Sequence, residues 1–159
     1  MRAFAKVVFQ LAMSLWIGAL VTVSFLVAPA VFGAVPSETA GAVMGRIFPL
    51  YYGFTVATGV VAVAAASWLW RAGIGVRTWR AIVPMLVLML AATSYAGGVV
   101  SPRARALRPA LHLEPVDPAL RAEFDGLHRR AVQLNSLVLV LGLAIVVVSA
   151  VAVRWPEER

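Results

Sequence analysis

Cysteine is absent from the 159-residue chain, only 13% of its residues are charged, and seven acids stand against fourteen basic residues. Without a thiol there is no disulfide, no iron–sulfur cluster, no thiolate zinc site and no thiol catalysis, and the redox compartment leaves no mark on the sequence. Charge this sparse, beside 62% hydrophobic residues, lies far from soluble domains at roughly 45–50% apolar and about 25% charged. The composition is that of a membrane protein. Serine-hydrolase, Walker, zinc-protease and CxxC patterns are missing, and no internal repeat is evident. No ionisable residue falls in the middle of a long apolar stretch, which argues against a proton relay, a voltage sensor or an acidic cation site.

What is present is length without charge. Val7 to Ser37, Ile47 to Trp70, Ala81 to Pro102 and Ala131 to Val153 carry no Lys, Arg, Asp or Glu. Each is long enough to cross a hydrocarbon core of about 30 Å as a helix. A β-barrel needs alternating segments of about 10 residues, and the runs Val60 to Ala66 and Val138 to Val148 do not alternate. The expected fold is all-α: a polytopic four-helix transmembrane bundle with a short interfacial helix between helices 1 and 2. One integral membrane domain covers 1–159, with spans at about 5–33, 49–70, 81–101 and 130–153 and a polar connection at 102–129. A cleaved signal peptide is the alternative for the first stretch, but a signal core runs only about 7–15 residues and this one continues past Phe25.

Between Pro36 and Pro49 the spacing of Ala40, Val43, Met44, Ile47 and Phe48 predicts a helix over 38–48. Ser37 is placed to cap it and Glu38 suits the positive end of its dipole. The helix is expected along the membrane surface, or as a lid over the bundle. Pro29, Pro49 and Pro102 are assigned structural roles, Pro29 as a kink or end of the first span. Gly73 and Gly75 break the chain between Arg71 and Arg80, with Trp68, Trp70 and Trp79 as interfacial aromatics and Tyr51 and Tyr52 marking another interface. Asp117-Pro118 is a helix-start signal, and the last helix is expected to run to Val153, about 54 Å. Small residues at Ala62, Ala66, Ala92, Ala96 and Gly97 allow close helix contacts.

The polar residues inside the spans are neutral: Gln10, Ser14, Thr22, Ser24, Thr55, Thr58, Thr93, Ser94, Tyr95, Gln133, Asn135 and Ser136. Interhelical hydrogen bonding is the plain explanation. His128 and Asn135, seven apart, share one face of the last helix, with His128 at the membrane boundary and Asn135 about 10 Å deeper. An amide at that depth must face protein. Together they line a polar cavity, or His128 only anchors the interface and bonds a neighbouring carbonyl. Arg103, Arg105 and Arg108 follow the third span directly. Guanidinium groups bind phosphate and carboxylate bidentately, so the cluster suits anionic lipid headgroups or an anionic ligand; pairing with Glu114, Asp117, Glu123 and Asp125 is the alternative. The expected ligand site is therefore His128, Asn135, Arg103, Arg105 and Arg108, between helices 3 and 4.

No catalytic residue, metal ligand or cofactor is assigned. His112 and His128 lie in the polar connection rather than within a span, which disfavours haem, and Met13, Met44, Met85 and Met89 read as packing more than copper ligands. The expected partners are the lipid bilayer, anionic lipids included, and a second copy of the chain. Nucleic acid is excluded, because the basic residues divide between two membrane faces. With four spans the termini share a side with Arg71, Arg77 and Arg80, and basic residues count seven on each side. Arg2 and Lys6 flank the first helix, so both termini are expected in the cytoplasm, with the chain in the inner (plasma) membrane.

The ordered motifs Leu15-Trp16-Ile17-Gly18-Ala19-Leu20, Val27-Ala28-Pro29-Ala30-Val31-Phe32, Gly45-Arg46-Ile47-Phe48-Pro49-Leu50-Tyr51-Tyr52, Pro102-Arg103-Ala104-Arg105-Ala106-Leu107-Arg108 and Leu127-His128 with Leu134-Asn135 resemble the transmembrane protein 205-like family. That family pattern places His and Asn seven apart at the start of the last helix. Where it often has Ser three residues after the His, this chain has Ala131, so a hydroxyl role there is lost. The resemblance implies a compact four-helix membrane domain of unsettled biochemistry; the animal member's association with resistance to a platinum drug hints at export. A weaker likeness is to copper-resistance D type membrane domains, without their metal-binding histidines. Three readings stay open: a ligand-binding membrane protein contributing to export or membrane handling, a membrane-embedded enzyme on a quinone-like substrate with His128 as acid/base, and a structural subunit.

Overall fold

The computed structural model describes residues 1–112, 115 and 117–152. Four helices are long and apolar enough to cross a membrane: Arg2–Ala34, Ser37–Arg71, Arg77–Leu111 and Pro118–Ala150. No strand occurs among the described residues. In lipid every backbone N–H and C=O must be satisfied within the protein, and apolar runs that do not alternate as barrel strands do have only the helix available. The first span comprises α1 (Arg2–Val21), a π-helical stretch (Thr22–Val27) and α2 (Ala28–Ala34). The second is α3 (Ser37–Arg71). The third comprises α4 (Val76–Tyr95), a second π-helical stretch (Ala96–Val100) and α5 (Ser101–Leu107), then a 3-10 turn over Arg108–His112. The fourth is α6 (Pro118–Ala152).

The prolines behave differently from expectation. Pro49 does not separate an interfacial helix from a span: 37–48 is helical, but it continues through Pro49 as the first turns of the 35-residue α3. It is therefore not a separate interfacial helix. Its Ala40, Gly41 and Met44 are buried against the bundle, in the manner of the lid reading. The missing N–H of Pro49 frees the carbonyl of Gly45, and a membrane helix tolerates this because neighbouring helices hold the chain in place. Ser37 is the first helical residue and makes no capping bond. Pro29 and Pro102 neither end nor visibly break their spans; each follows a π stretch. Ala28 N–H bonds the carbonyl of Val23, and Ser101 N–H that of Ala96, each five residues back. A single widened turn is how a helix accommodates a ring that cannot donate and crowds the preceding turn.

The other start and stop signals act as expected. Ala119 N–H donates to Asp117 Oδ1 at 2.8 Å, so Asp117 caps α6 with Pro118 first in the helix. The 35 residues of α6 run unbroken through Gly126, about 52 Å and well beyond the hydrocarbon thickness. Gly75 holds φ +57°, a left-handed conformation that glycine adopts without strain, and α4 starts at the next residue. Arg154 and Arg159, counted in the charge balance, lie outside the described residues.

Consecutive spans pack side by side, and α6 returns to α4 and to α1. The core is made by Phe9, Met13 and Trp16 of α1, Leu69 of α3, Ile82, Leu86 and Met89 of α4 and Ile145 of α6. Gly59 lets the indole of Trp16 approach so closely that a Cβ there would stand 2.8 Å from it. Trp79 belongs to this core rather than to an interface: its ring meets Phe9 edge-on at 5.0 Å. Trp68 and Trp70 stay exposed. Outside, Phe4, Phe25, Leu26, Leu50 and Val140 are all more than half exposed, a surface that fits hydrocarbon and not water.

Polar side chains inside the spans that are bonded follow two patterns, while the buried Thr93 Oγ1 has no partner among the described residues. Thr55 and Thr58 are buried and donate to carbonyls of their own helix, Tyr51 and Phe54, at 2.9 and 3.1 Å. Gln10 Nε2 donates to Ser149 Oγ at 3.2 Å, joining α1 to α6. Interhelical bonding is thus a part of the explanation and not the whole. Ser14, Thr22, Ser94, Tyr95, Gln133 and Ser136 face outward, against the expectation that they turn toward one another; a helical hydroxyl can return its proton to its own backbone.

Candidate functional site

At the end of the bundle away from Phe9 and Trp79 the helices enclose a cavity of about 200 Å³, a volume equal to roughly seven liquid waters. All four spans contribute: Val23, Ser24 and Ala28 from the first, Gly45, Phe48, Tyr51 and Tyr52 from the second, Val100, Ser101, Ala104, Arg105 and Arg108 from the third, and Phe124, Leu127, His128, Ala131, Val132 and Asn135 from the fourth. The expected location between helices 3 and 4 is thus too narrow.

Both π stretches border this space. Val23 and Ser24 lie within the first, and Val100 within the second with Ser101 just after it. A π turn re-aims the side chains that follow it, and such turns recur at functional sites. Gly97 of the second stretch brings the third span against α3, where a Cβ would lie 2.6 Å from Tyr52 Cβ. Tyr51 and Tyr52 are consequently buried, their ring centroids 4.8 Å apart. They form the inner wall of the cavity and do not mark a membrane interface.

Of the five residues singled out from sequence, four line the cavity: His128, Asn135, Arg105 and Arg108. Arg103 does not; it is exposed outside it. His128 is exposed at the mouth, while Asn135, two turns deeper along α6, is half-buried. The seven-residue spacing on one helical face does what the geometry requires of it.

Arg108 is the best-held cation of the set. It is half-buried, its Nη1 donates to the carbonyl of Gly41, and its guanidinium lies 5.9 Å from the Phe124 ring centroid. Gly41 makes this possible, since a Cβ would collide with Arg108 Nη1. These partners, a carbonyl and a ring, carry no formal negative charge. Glu114, one acid proposed to pair with the cluster, lies outside the described residues. Arg105 is exposed and brings a second positive charge to the same cavity.

Depth sorts the chemistry. Arg105, Arg108 and His128 stand where the charge-free runs of the third and fourth spans give way to charged sequence. Tyr51, Tyr52 and Asn135 lie further in, among Val100, Ala131 and Val132. Such a cavity offers cationic donors at its mouth, neutral donors and acceptors at its floor and apolar walls between. The arginines and the His–Asn pair were legible in the sequence; Ser24, Phe48 and Ser101 were not singled out as lining residues, though Pro29 and Pro102 were local signals of altered helix geometry beside two of them.

A family model described as Domain of unknown function (DUF4149) matches residues 11–112. The match contains Arg105 and Arg108 and stops short of α6. No curated protein and no solved structure matches the chain.

Proposed function

The chain belongs to the family of that uncharacterised domain, and from this premise we propose that it binds a small or lipidic ligand in the cavity at the open end of its four-helix bundle and contributes to that ligand's export or handling in the membrane. One observation carries the reading: cationic, neutral polar and aromatic groups from separate helices converge on a single cavity, whereas the other end of the bundle is filled by side chains. A few convergent polar groups within an apolar enclosure are the ordinary make-up of a ligand site. The resemblance of its motif order to the transmembrane protein 205-like family supports the export half of the proposal. Arg2 and Lys6 at the first span support placing both termini in the cytoplasm, across the plasma membrane; the cavity then lies on the far side.

The test is mild extraction of the intact protein, with native mass spectrometry of what stays bound. A stoichiometric small molecule in the wild type that is lost from His128→Ala/Asn135→Ala, with helicity and elution volume unchanged, is the expected outcome. Equal retention by the double variant, or no bound molecule in the wild type, rejects the proposal.

A further inference from the structure

The ring of four spans does not close evenly. Near Phe9, α1 packs against α6, and Gln10 bonds Ser149 across that seam. Beyond Val21 the first span parts from α6. Apart from contacts along its own helix, the π stretch touches the other spans slightly at most, α2 packs on α3 as α1 does, and contact of either with α6 is slight at most. Neither the π stretch nor α2 contributes a buried residue. Yet Ser24 and Ala28 on one side and Val132 and Asn135 on the other line the same cavity. The first and fourth spans thus share the cavity wall where their backbones stand apart.

The lining on either side of that parting includes apolar Val23, Ala28 and Val132, and Val132 is 50% exposed, which suits lipid. Only the outer edge carries charge, at Arg105 and Arg108, with His128 beside them. An opening of this composition, at the depth where charged sequence begins, faces the headgroup layer sideways. A cavity of about 200 Å³ is of headgroup size, and chains attached to a bound headgroup would leave between the first and fourth spans.

Charge selects the headgroup. Arg108 is half-buried, and its partners among the described residues are the Gly41 carbonyl and the Phe124 ring. One of five guanidinium N–H donors is used on that carbonyl. A partly desolvated cation calls for an anion, and two arginines at one cavity present the fork geometry that matches an oxyacid.

We infer that the cavity takes the phosphate or carboxylate head of a membrane amphiphile, received sideways between the first and fourth spans, with the head at Arg105 and Arg108 and its chains left in the bilayer. This rests on the ligand-site reading above and narrows it to a class and a route. A neutral ligand in the same cavity overturns the narrowing and leaves that reading standing.

The experiment uses the full chain in detergent and three probes: dioctanoyl phosphatidic acid, dioctanoyl phosphatidylcholine and inorganic phosphate. Native mass spectrometry should show one phosphatidic acid bound about tenfold more tightly than phosphatidylcholine, and a loss of about tenfold or more in Arg105→Gln/Arg108→Gln. Arg103→Gln removes the same charge outside the cavity and should leave binding unchanged. If the double variant does not fold, Arg105→Gln alone, at an exposed side chain, should show a smaller loss in the same direction. Phosphatidic acid carrying a diazirine in its acyl chain should label peptides from 22–34 and 124–140. Equal binding of phosphatidylcholine, or equal loss in Arg103→Gln, overturns the anionic head. Inorganic phosphate competing as well as the lipid, or labelling confined to the outer faces of α3 and α4, overturns the membrane source and the sideways route.

Discussion

The two ends of the bundle are built from the same apolar alphabet and do opposite things. At the end holding the N-terminus, Phe9, Trp16, Leu69, Trp79, Ile82 and Ile145 fill the space between four helices, and Gln10 ties the first span to the fourth. At the other end the helices carry π turns before Pro29 and Pro102, and a cavity stands where a core would be. Hydrophobicity does not separate the two ends, since lipid solvates an outward Leu as well as a neighbouring helix does. Shape separates them. Gly59 admits an indole and closes one end; widened turns and an uncommitted α2 leave the other open.

The comparison is broken most severely at the closed end. Trp16→Ala removes the largest fully buried side chain, and we expect a loss of about 3–5 kcal/mol, read as a fall in thermal midpoint in detergent or lipid nanodiscs. A loss below about 1 kcal/mol would mean that this end is not the packed anchor of the bundle. Gln10→Leu cuts the hydrogen bond between α1 and α6 while keeping bulk, and should cost about 0.6 kcal/mol, with an upper limit near 1.7; in a cross-linking assay the seam should loosen. The smallest stability effect belongs to the open end. Ala131→Leu adds volume at a cavity wall and should change the thermal midpoint by little, because the void absorbs the side chain, while abolishing ligand retention. A drop as large as that of Trp16→Ala would show that the open end is as tightly filled as the closed one.

Particular residues show how legible the molecule is from its sequence. Asp117-Pro118 announced the start of α6 and the structure uses it as written, because capping is a local bond between neighbours in sequence. His128 and Asn135 were placed on one face by helical periodicity alone, and that face meets the cavity. Pro49 misled, since its local cost predicts a break and the surrounding helices override it. Tyr51, Tyr52 and Trp79 misled for a related reason: an aromatic near the end of a span suits an interface, but Gly97 and Phe9 supply partners that draw these rings inward.

The number of spans and their all-helical character follow from the sequence by itself, because a bilayer imposes one requirement on every residue of a segment and a run of apolar residues meets or fails it locally. Which residues face one another, where the bundle closes and where it parts were decided by the tertiary structure. In lipid no apolar face is driven inward by water, so the choice falls to the fit of Gly against Trp and Tyr and to the prolines that widen two helices beside the cavity.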